Sequence, residues 1–208
     1  MVASIMQAVI LLGAVILVGL VAADWIAFTR KSPRVLGYGL AIGRQPEALR
    51  VSADDFDAHG CLPLPHGLAQ LCPEQHAIIL LPEWKRFGLR FRTAWPLNGA
   101  LYYDSFNDGA KLRFIKRMPW SSALLTALWF LTVAGGLIAY LVSYALAGGF
   151  ASAPGAFLGV ALSGLGSLVL LFGLIVVMAA YRLEDKRLMV VYDELRSVLR
   201  EKPSQKLH

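Results

Sequence analysis

A membrane protein with three transmembrane α-helices and a small strand-rich (β or α+β) domain between helices 1 and 2 is the fold class this sequence predicts. Three observations predict it. Met1 to Ala23 carries no charged side chain, Met118 to Tyr181 is an uncharged run of 64 residues, and most of the charge lies between them. Charged residues make up only 16% of the chain, against about 25% in soluble domains.

One helical span needs about 20 apolar residues, so residues 1–28 supply transmembrane helix 1. Val21-Ala22-Ala23 offers a small-residue cleavage site, but Met1 to Gln7 lacks a positive region, and the apolar run is longer than a signal peptide's. An uncleaved helix is expected. The second apolar block would be about 96 Å long as a single helix, far thicker than a bilayer core. It must fold back at Gly148, Gly149, Pro154 and Gly155, making residues 119–181 a hairpin of spans at about 121–147 and 155–181.

The basic residues set the expected orientation. Arg30, Lys31 and Arg34 leave the first helix, Lys111, Arg113, Lys116 and Arg117 enter the second, and Arg182, Lys186 and Arg187 leave the third. The positive-inside rule then puts the N-terminus and the hairpin turn outside, with the middle domain and the tail in the cytoplasm. Trp25, Trp120 and Tyr181 stand at the three cytoplasmic ends, where amphipathic rings prefer the headgroup level. The net charge of +6 is juxtamembrane. It reads as attraction of Arg30, Lys31, Arg34, Lys111, Arg113, Lys116, Arg117 and Arg182 to anionic lipid headgroups, and no nucleic-acid partner is expected.

Residues 29–118 read as a cytoplasmic strand-rich domain. Leu36, Tyr38, Leu40 and Ile42 alternate with glycine and alanine, the period of a half-buried strand, and Ala48–Ser52 offers a second short one. Asp54 to Pro73 reads as irregular, broken by Gly60, Pro63, Pro65, Gly67 and Pro73, and Ala77–Leu81 as a short apolar strand. A β-meander is expected at about 84–117. Phe87, Leu89, Phe91 and Trp95 share one side of its first strand, and Arg86, Arg90 and Arg92 share the other as a candidate partner surface. Asn98-Gly99 and Asp108-Gly109 are its two-residue turns, a register that sets Asp104 against Arg113 and Tyr102 against Ile115.

The spans carry small residues at helical spacing. Gly155, Gly159 and Ser163 recur every fourth residue, Gly159, Gly166 and Gly173 every seventh, and Gly135, Ala139 and Ser143 stand on the preceding span. Such stripes let membrane helices approach closely, and packing of the two spans on each other is the expected use. Residues 182–208 form an amphipathic cytoplasmic tail. Leu188, Val191, Leu195, Val198 and Leu199 line one side, expected to pack on the middle domain, with Arg187, Asp193, Glu194, Arg196 and Arg200 elsewhere.

Candidates for chemistry are few. His59, Cys61, His66, Cys72 and His76 are five metal-capable groups within 18 residues. Zinc wants four arranged tetrahedrally, and this spacing is not the paired kind that presents two together. No cofactor is expected, zinc being the one to test. Two cytoplasmic cysteines stay reduced; in an oxidising compartment Cys61 and Cys72 could close a disulfide. Asp54, Asp55 and Asp57 suit the acidic first turn of a short helix better than a cation site. The two later spans hold no ionisable group, which argues against a self-contained pump.

Three classes of function follow. The first is an accessory, anchoring or assembly subunit of a membrane complex, without an evident catalytic site, binding other protein subunits through its domain and tail. The second is a channel or stator-like subunit of an oligomeric pore, lined by Thr126, Thr132, Ser143 or Ser163. Stator subunits of ion-driven motors are similar in topology, though in no motif. The third is a membrane enzyme with a His/Cys metal site. A homo-oligomer is compatible with each. The preponderance of Arg over Lys, with much Ala and Gly, points to a bacterial inner membrane.

Overall fold

The computed structural model describes residues 13, 15–24, 26, 28, 38–48, 51, 55–89, 93–103 and 111–201. These residues hold a six-stranded antiparallel sheet and three helices, two of them long and apolar enough to cross a membrane. The chain divides into two units, Met1–Ser122 with Leu183–His208, and Ala123–Arg182.

The first unit begins with the short apolar helix α1 (Val15–Asp24), whose Val15, Ile16 and Val18 are exposed. The strands follow as β1 (Leu40–Ala48), β2 (Cys61–Leu64), β3 (Gly67–Cys72), β4 (Ala77–Pro82), β5 (Asn98–Tyr103) and β6 (Lys111–Met118). Their order in the sheet is β1-β6-β5-β4-β3-β2, so β2 to β6 form a meander and β1 closes onto its last strand. Both edge strands contain a proline, Pro46 and Pro63, where a missing N–H costs no ladder bond and discourages pairing with another chain.

The last third of the long helix α3 (Ala153–Glu201) lies on one face of this sheet. Leu188, Val191, Tyr192, Leu195 and Leu199 are all buried there, each contributing about 1.5–3 kcal/mol of apolar burial. Tyr192 stacks on Phe114 of β6, with ring centroids 4.9 Å apart. The approach is close enough to require glycine. A Cβ on Gly67 would lie 2.6 Å from the Leu81 carbonyl oxygen and 2.9 Å from Val191, and one on Gly99 would lie 2.7 Å from the Phe114 ring and 3.0 Å from Leu188. The other face carries a smaller cluster of Cys72, Ala77, Ile79 and Ala100 under Leu81 and Tyr102.

Several expectations need correction. The described part of residues 86–95 is not a strand: Trp84–Arg86 is a 3-10 turn, and 87–89 and 93–95 lie outside the sheet, while 90–92 lie outside the described residues. Asn98-Gly99 is not a hairpin turn but the start of β5, because the strand that pairs there is β4, with Leu80 opposite Gly99. Tyr102 faces Arg113, not Ile115, a slip of two residues that keeps every side chain on its expected face. Asp104 and the Asp108-Gly109 turn lie outside the described residues. Residues 61–72, read as irregular, form the β2–β3 hairpin, with Pro65-His66 as its turn. Pro63 sits on an edge and Pro65 pre-sets the turn, so neither breaks a strand. The two short strands expected at 36–43 and 48–52 are, over the described residues, one strand from Leu40 to Ala48 with an irregularity between Ala41 and Gly43.

The second unit is a helical hairpin of α2 (Trp120–Leu146), from Ala123 onward, and α3 up to Arg182. Gly148 ends α2 at φ +75, the left-handed conformation that favours glycine, and the Gly149 N–H bonds the Tyr144 carbonyl at 2.9 Å. Ser152 caps α3, its Oγ accepting the Gly155 N–H at 3.2 Å. The Tyr144 hydroxyl donates to the Gly155 carbonyl at 2.9 Å.

Spacing by sevens governs this hairpin. A Cβ added to Gly159 would fall on the Phe150 ring and reach Tyr144, one on Gly166 would lie 2.7 Å from Leu137, and one on Gly173 would fall on the Trp129 ring. Gly155 packs in the same way against the Gly149 carbonyl. The partners step back by about two turns as the glycines step forward, the pattern of two antiparallel helices that keep one seam in contact. The stripe on α2 behaves differently. Gly135 has open space where its Cβ would be, and Ala139 and Ser143 are exposed, so these residues do not face α3. Ser163 turns inward on its own helix, its hydroxyl bonding the Gly159 carbonyl at 2.6 Å.

Candidate functional site

The antiparallel register brings the start of β1, the end of β4, the start of β5 and the end of β6 to one end of the sheet, from which α2 departs. Polar groups concentrate there. Asp24 of α1 is 4% exposed, and its carboxylate accepts the Ser121 N–H in the first turn of α2. An anion at a helix N-terminus satisfies an orphan donor and complements the dipole, so α1 caps α2 across 97 residues of chain. Tyr38 stands beside this carboxylate. Burial, then the hydrogen bond to Asp24 and its charge, push the phenol up to about 12.

That shift carries a pH dependence with a definite sign. A folded-state pKa above the free value of about 10 means that the neutral phenol is favoured by folding. The associated stability is complete below pH 10 and is lost as pH rises through about 12. Tyr38→Phe should therefore flatten the fall in melting temperature across that window. In a phenolate absorbance titration it should remove a late-ionising component from the seven tyrosines.

The second group belongs to α3. Glu184 and Arg187 pair at 2.7 Å with side chains 7% and 2% exposed. Glu184 also accepts the Thr93 hydroxyl at 2.9 Å, and that oxygen accepts the Trp95 N–H at 3.2 Å. Arg187 donates to the Leu89 carbonyl and lies 5.7 Å from the Phe87 ring centroid. One residue on, Asp185 pairs with Lys116 of β6 at 2.6 Å. Further along, Glu194 accepts both the His66 backbone N–H, at 3.1 Å, and its ring Nδ1. These bonds fasten the tail to β6, to the β2–β3 turn and to the segment after β4. Glu184 is met by Arg187 and Asp185 by Lys116, each a partner of opposite sign, so the cluster acts as a joint.

Several candidate residues have other work. Arg187 is buried, where the tail's polar side was expected. Lys116, expected at lipid headgroups, is buried in its ion pair, and Arg117 donates to the Gly39 carbonyl at 3.2 Å. Arg113, although exposed, is five residues from Met118, so β6 carries it about 17 Å from the strand end that leads into α2. Lys111 is further along the same strand. Arg182 is exposed. Arg30, Lys31, Arg34, Arg90 and Arg92 lie outside the described residues. Arg86 uses its guanidinium on Glu83 at 2.6 Å and on the Leu64 and Pro65 carbonyls at 2.9 and 3.3 Å, holding the β2–β3 turn.

The five metal-capable residues are dispersed. His59 is exposed, with its backbone N–H on the Asp57 carboxylate, which also accepts the Cys61 N–H and shapes the entry to β2. His66 is held by Glu194, while His76 lies at φ 47 with its ring edge-on to Tyr103. Cys61 and Cys72 are both free. Burial, then Cys61 and Glu74, raise the Cys72 thiol, which keeps it protonated and unreactive. Among the described residues no group of three His, Cys, Asp or Glu side chains converges as a metal site requires.

The joint escaped sequence reasoning because Glu184 and Arg187 are held by Thr93 and the Leu89 carbonyl, more than 90 residues away in the chain. The one available signal was their spacing of three on a helix, directly after the apolar run ends. Comparison with known protein families, with curated proteins and with solved structures finds no match to this chain.

Proposed function

We propose that the chain is a multi-pass membrane protein of three spanning helices. Its sheet and tail form a cytoplasmic docking module, and it serves as an accessory, anchoring or assembly subunit of a bacterial inner-membrane complex. Support for the membrane comes from α2 and the first part of α3, where Leu131, Ile138, Leu146, Phe157, Leu168 and Phe172 are each more than 60% exposed. Apolar exposure on this scale around both helices is stable in lipid and costly in water. The observation that carries the docking role is the two-sided tail. Its inner face is consumed by the sheet, while Arg182, Lys186, Asp193, Ser197 and Arg200 stand exposed on the outer one. A charged helix held rigidly on a folded module presents a pre-ordered surface to another subunit. The reading assigns no cofactor.

Affinity purification in mild detergent tests this reading. The parent chain should bring down one protein in a fixed ratio, and Lys186→Glu with Arg200→Glu should lose it while melting at the parent's temperature. The same cells should label a cysteine at Ser152 from outside, with Cys61 reacting only after permeabilisation. Absence of any fixed-ratio partner, or the reverse labelling pattern, would count against the proposal.

One observation favours a second reading, the oligomeric pore: Gly135, Ala139 and Ser143 form a small-residue face on α2 that α3 does not use. A detergent particle several chains in mass, dispersed by Ala139→Leu, would favour it.

A further inference from the structure

Between β4 and β5 the described residues, 83–89 and 93–97, form no strand, yet they are fastened at many points. The Glu83 N–H bonds the His66 carbonyl at 2.9 Å, and Arg86 holds the Leu64 and Pro65 carbonyls. Phe87 lies between the His66 ring, at 5.1 Å, and the Arg187 guanidinium, at 5.7 Å. The Leu89 carbonyl takes a hydrogen bond from Arg187, Thr93 bonds Glu184, and the Ala94 carbonyl accepts the Ser122 hydroxyl. Much of the segment's polar chemistry is thus spent on the fold, while the Glu83–Arg86 pair remains 47% exposed on each side. Beside that pair stand Leu89, 56% exposed, Gly88 with open space around it, the exposed Lys85, and the half-buried Trp84, whose ring centroid lies 5.5 Å from the Lys85 ammonium.

The fastening points matter. Ser122 stands just after the uncharged run begins at Met118, and Glu184 just after it ends at Tyr181. The segment is therefore tied to the chain at both places where apolar helix gives way to charged sequence. Trp120, on the first turn of α2, is 45% exposed close by in the chain. In a membrane protein these are the residues found at headgroup depth: an apolar side chain that dips, tryptophans that prefer the interface, and a lysine whose stem lies along apolar surface while its ammonium meets phosphate.

We propose that Trp84–Leu89 is an interfacial anchor, with Leu89 inserted at the headgroup boundary of the bilayer and Lys85 bound to anionic phospholipid. This rests on the membrane reading above and adds a lipid-binding element outside the spanning helices.

Three fluorophore positions test it, each in the full-length Cys61→Ser chain reconstituted in nanodiscs. They are Leu89→Cys, Gln75→Cys in the 3-10 turn at the opposite end of β3, and Leu171→Cys on the exposed apolar surface of α3. With headgroup-level spin-labelled lipid, Leu89→Cys should be quenched about threefold more than Gln75→Cys. The difference should grow when phosphatidylglycerol is mixed into phosphatidylcholine, and Lys85→Glu should remove that growth. Equal quenching at Leu89 and Gln75 overturns the anchor, and quenching indifferent to lipid charge overturns the role of Lys85. An acyl-chain quencher separates the two levels of argument. If it reaches Leu171→Cys while Leu89→Cys stays dark to headgroup quencher, the anchor alone fails; if it does not reach Leu171→Cys, the membrane reading fails with it.

Discussion

Glu184→Ala should cost the sheet-and-tail unit about 3–5 kcal/mol, the penalty for leaving a buried charge without its partner. The Arg187 side chain is 2% exposed, and its second nitrogen is already committed to the Leu89 carbonyl, so water cannot replace the lost carboxylate without opening the joint. The melting transition followed by tryptophan fluorescence in detergent should fall by roughly 10 °C, given about 2–4 °C per kcal/mol in chains of this size. The double variant Glu184→Leu/Arg187→Met discriminates between causes. Replacing both charges with apolar groups of similar volume removes the unpaired ion, so most of the stability should return. Should the double variant melt as low as the single one, the penalty would lie in packing against Phe87 and not in the charge. Thr93→Val, which removes one hydrogen bond to a carboxylate that keeps Arg187, should cost about 1–2 kcal/mol.

The features that could be read from the sequence are those a short window determines. A helix of α2's kind needs only an uncharged apolar run, and the tail's buried stripe of Leu188, Val191, Leu195 and Leu199 needs only the 3.6-residue period. β4 was visible as a brief apolar run ended by proline. What failed depended on distant partners. Asn98-Gly99 carries a strong local turn signal, yet Gly99 is glycine because Phe114 and Leu188, 15 and 89 residues away, fill the space of a side chain. Once β4 takes the place beside β5, the described residues of 86–95 have no strand to pair with, and Arg86 and Phe87 serve something other than a sheet. Arg86 shows the same lesson at one residue: its charge suggested a surface, but the two carbonyls it holds belong to a hairpin that the prolines had hidden.

Gly173→Leu is expected to destabilise the α2–α3 hairpin more than any other single change in that unit. The added Cβ would fall on the six-membered ring of Trp129, and three further carbons must go beyond it, into space the indole fills. Overpacking a close contact typically costs about 1–3 kcal/mol, and tight helix contacts in lipid depend on small residues because apolar solvent removes the drive for larger ones. Gly166→Leu should cost less, since it meets the flexible end of Leu137 at 2.7 Å, which can rotate aside. Gly164→Leu is the control: with nothing within 4 Å of its Cβ position it should be nearly silent. The order Gly173, Gly166, Gly164 in lost melting temperature, at constant particle mass, is what a seam inside one chain produces. Loss of particle mass with an unchanged melting temperature would instead assign the glycine stripe to contacts between chains. Trp129→Ala in the Gly173→Leu background supplies the last discrimination. Deleting the ring opens the space the leucine needs, so if ring and leucine collide, the double variant should lose less than the two single changes together.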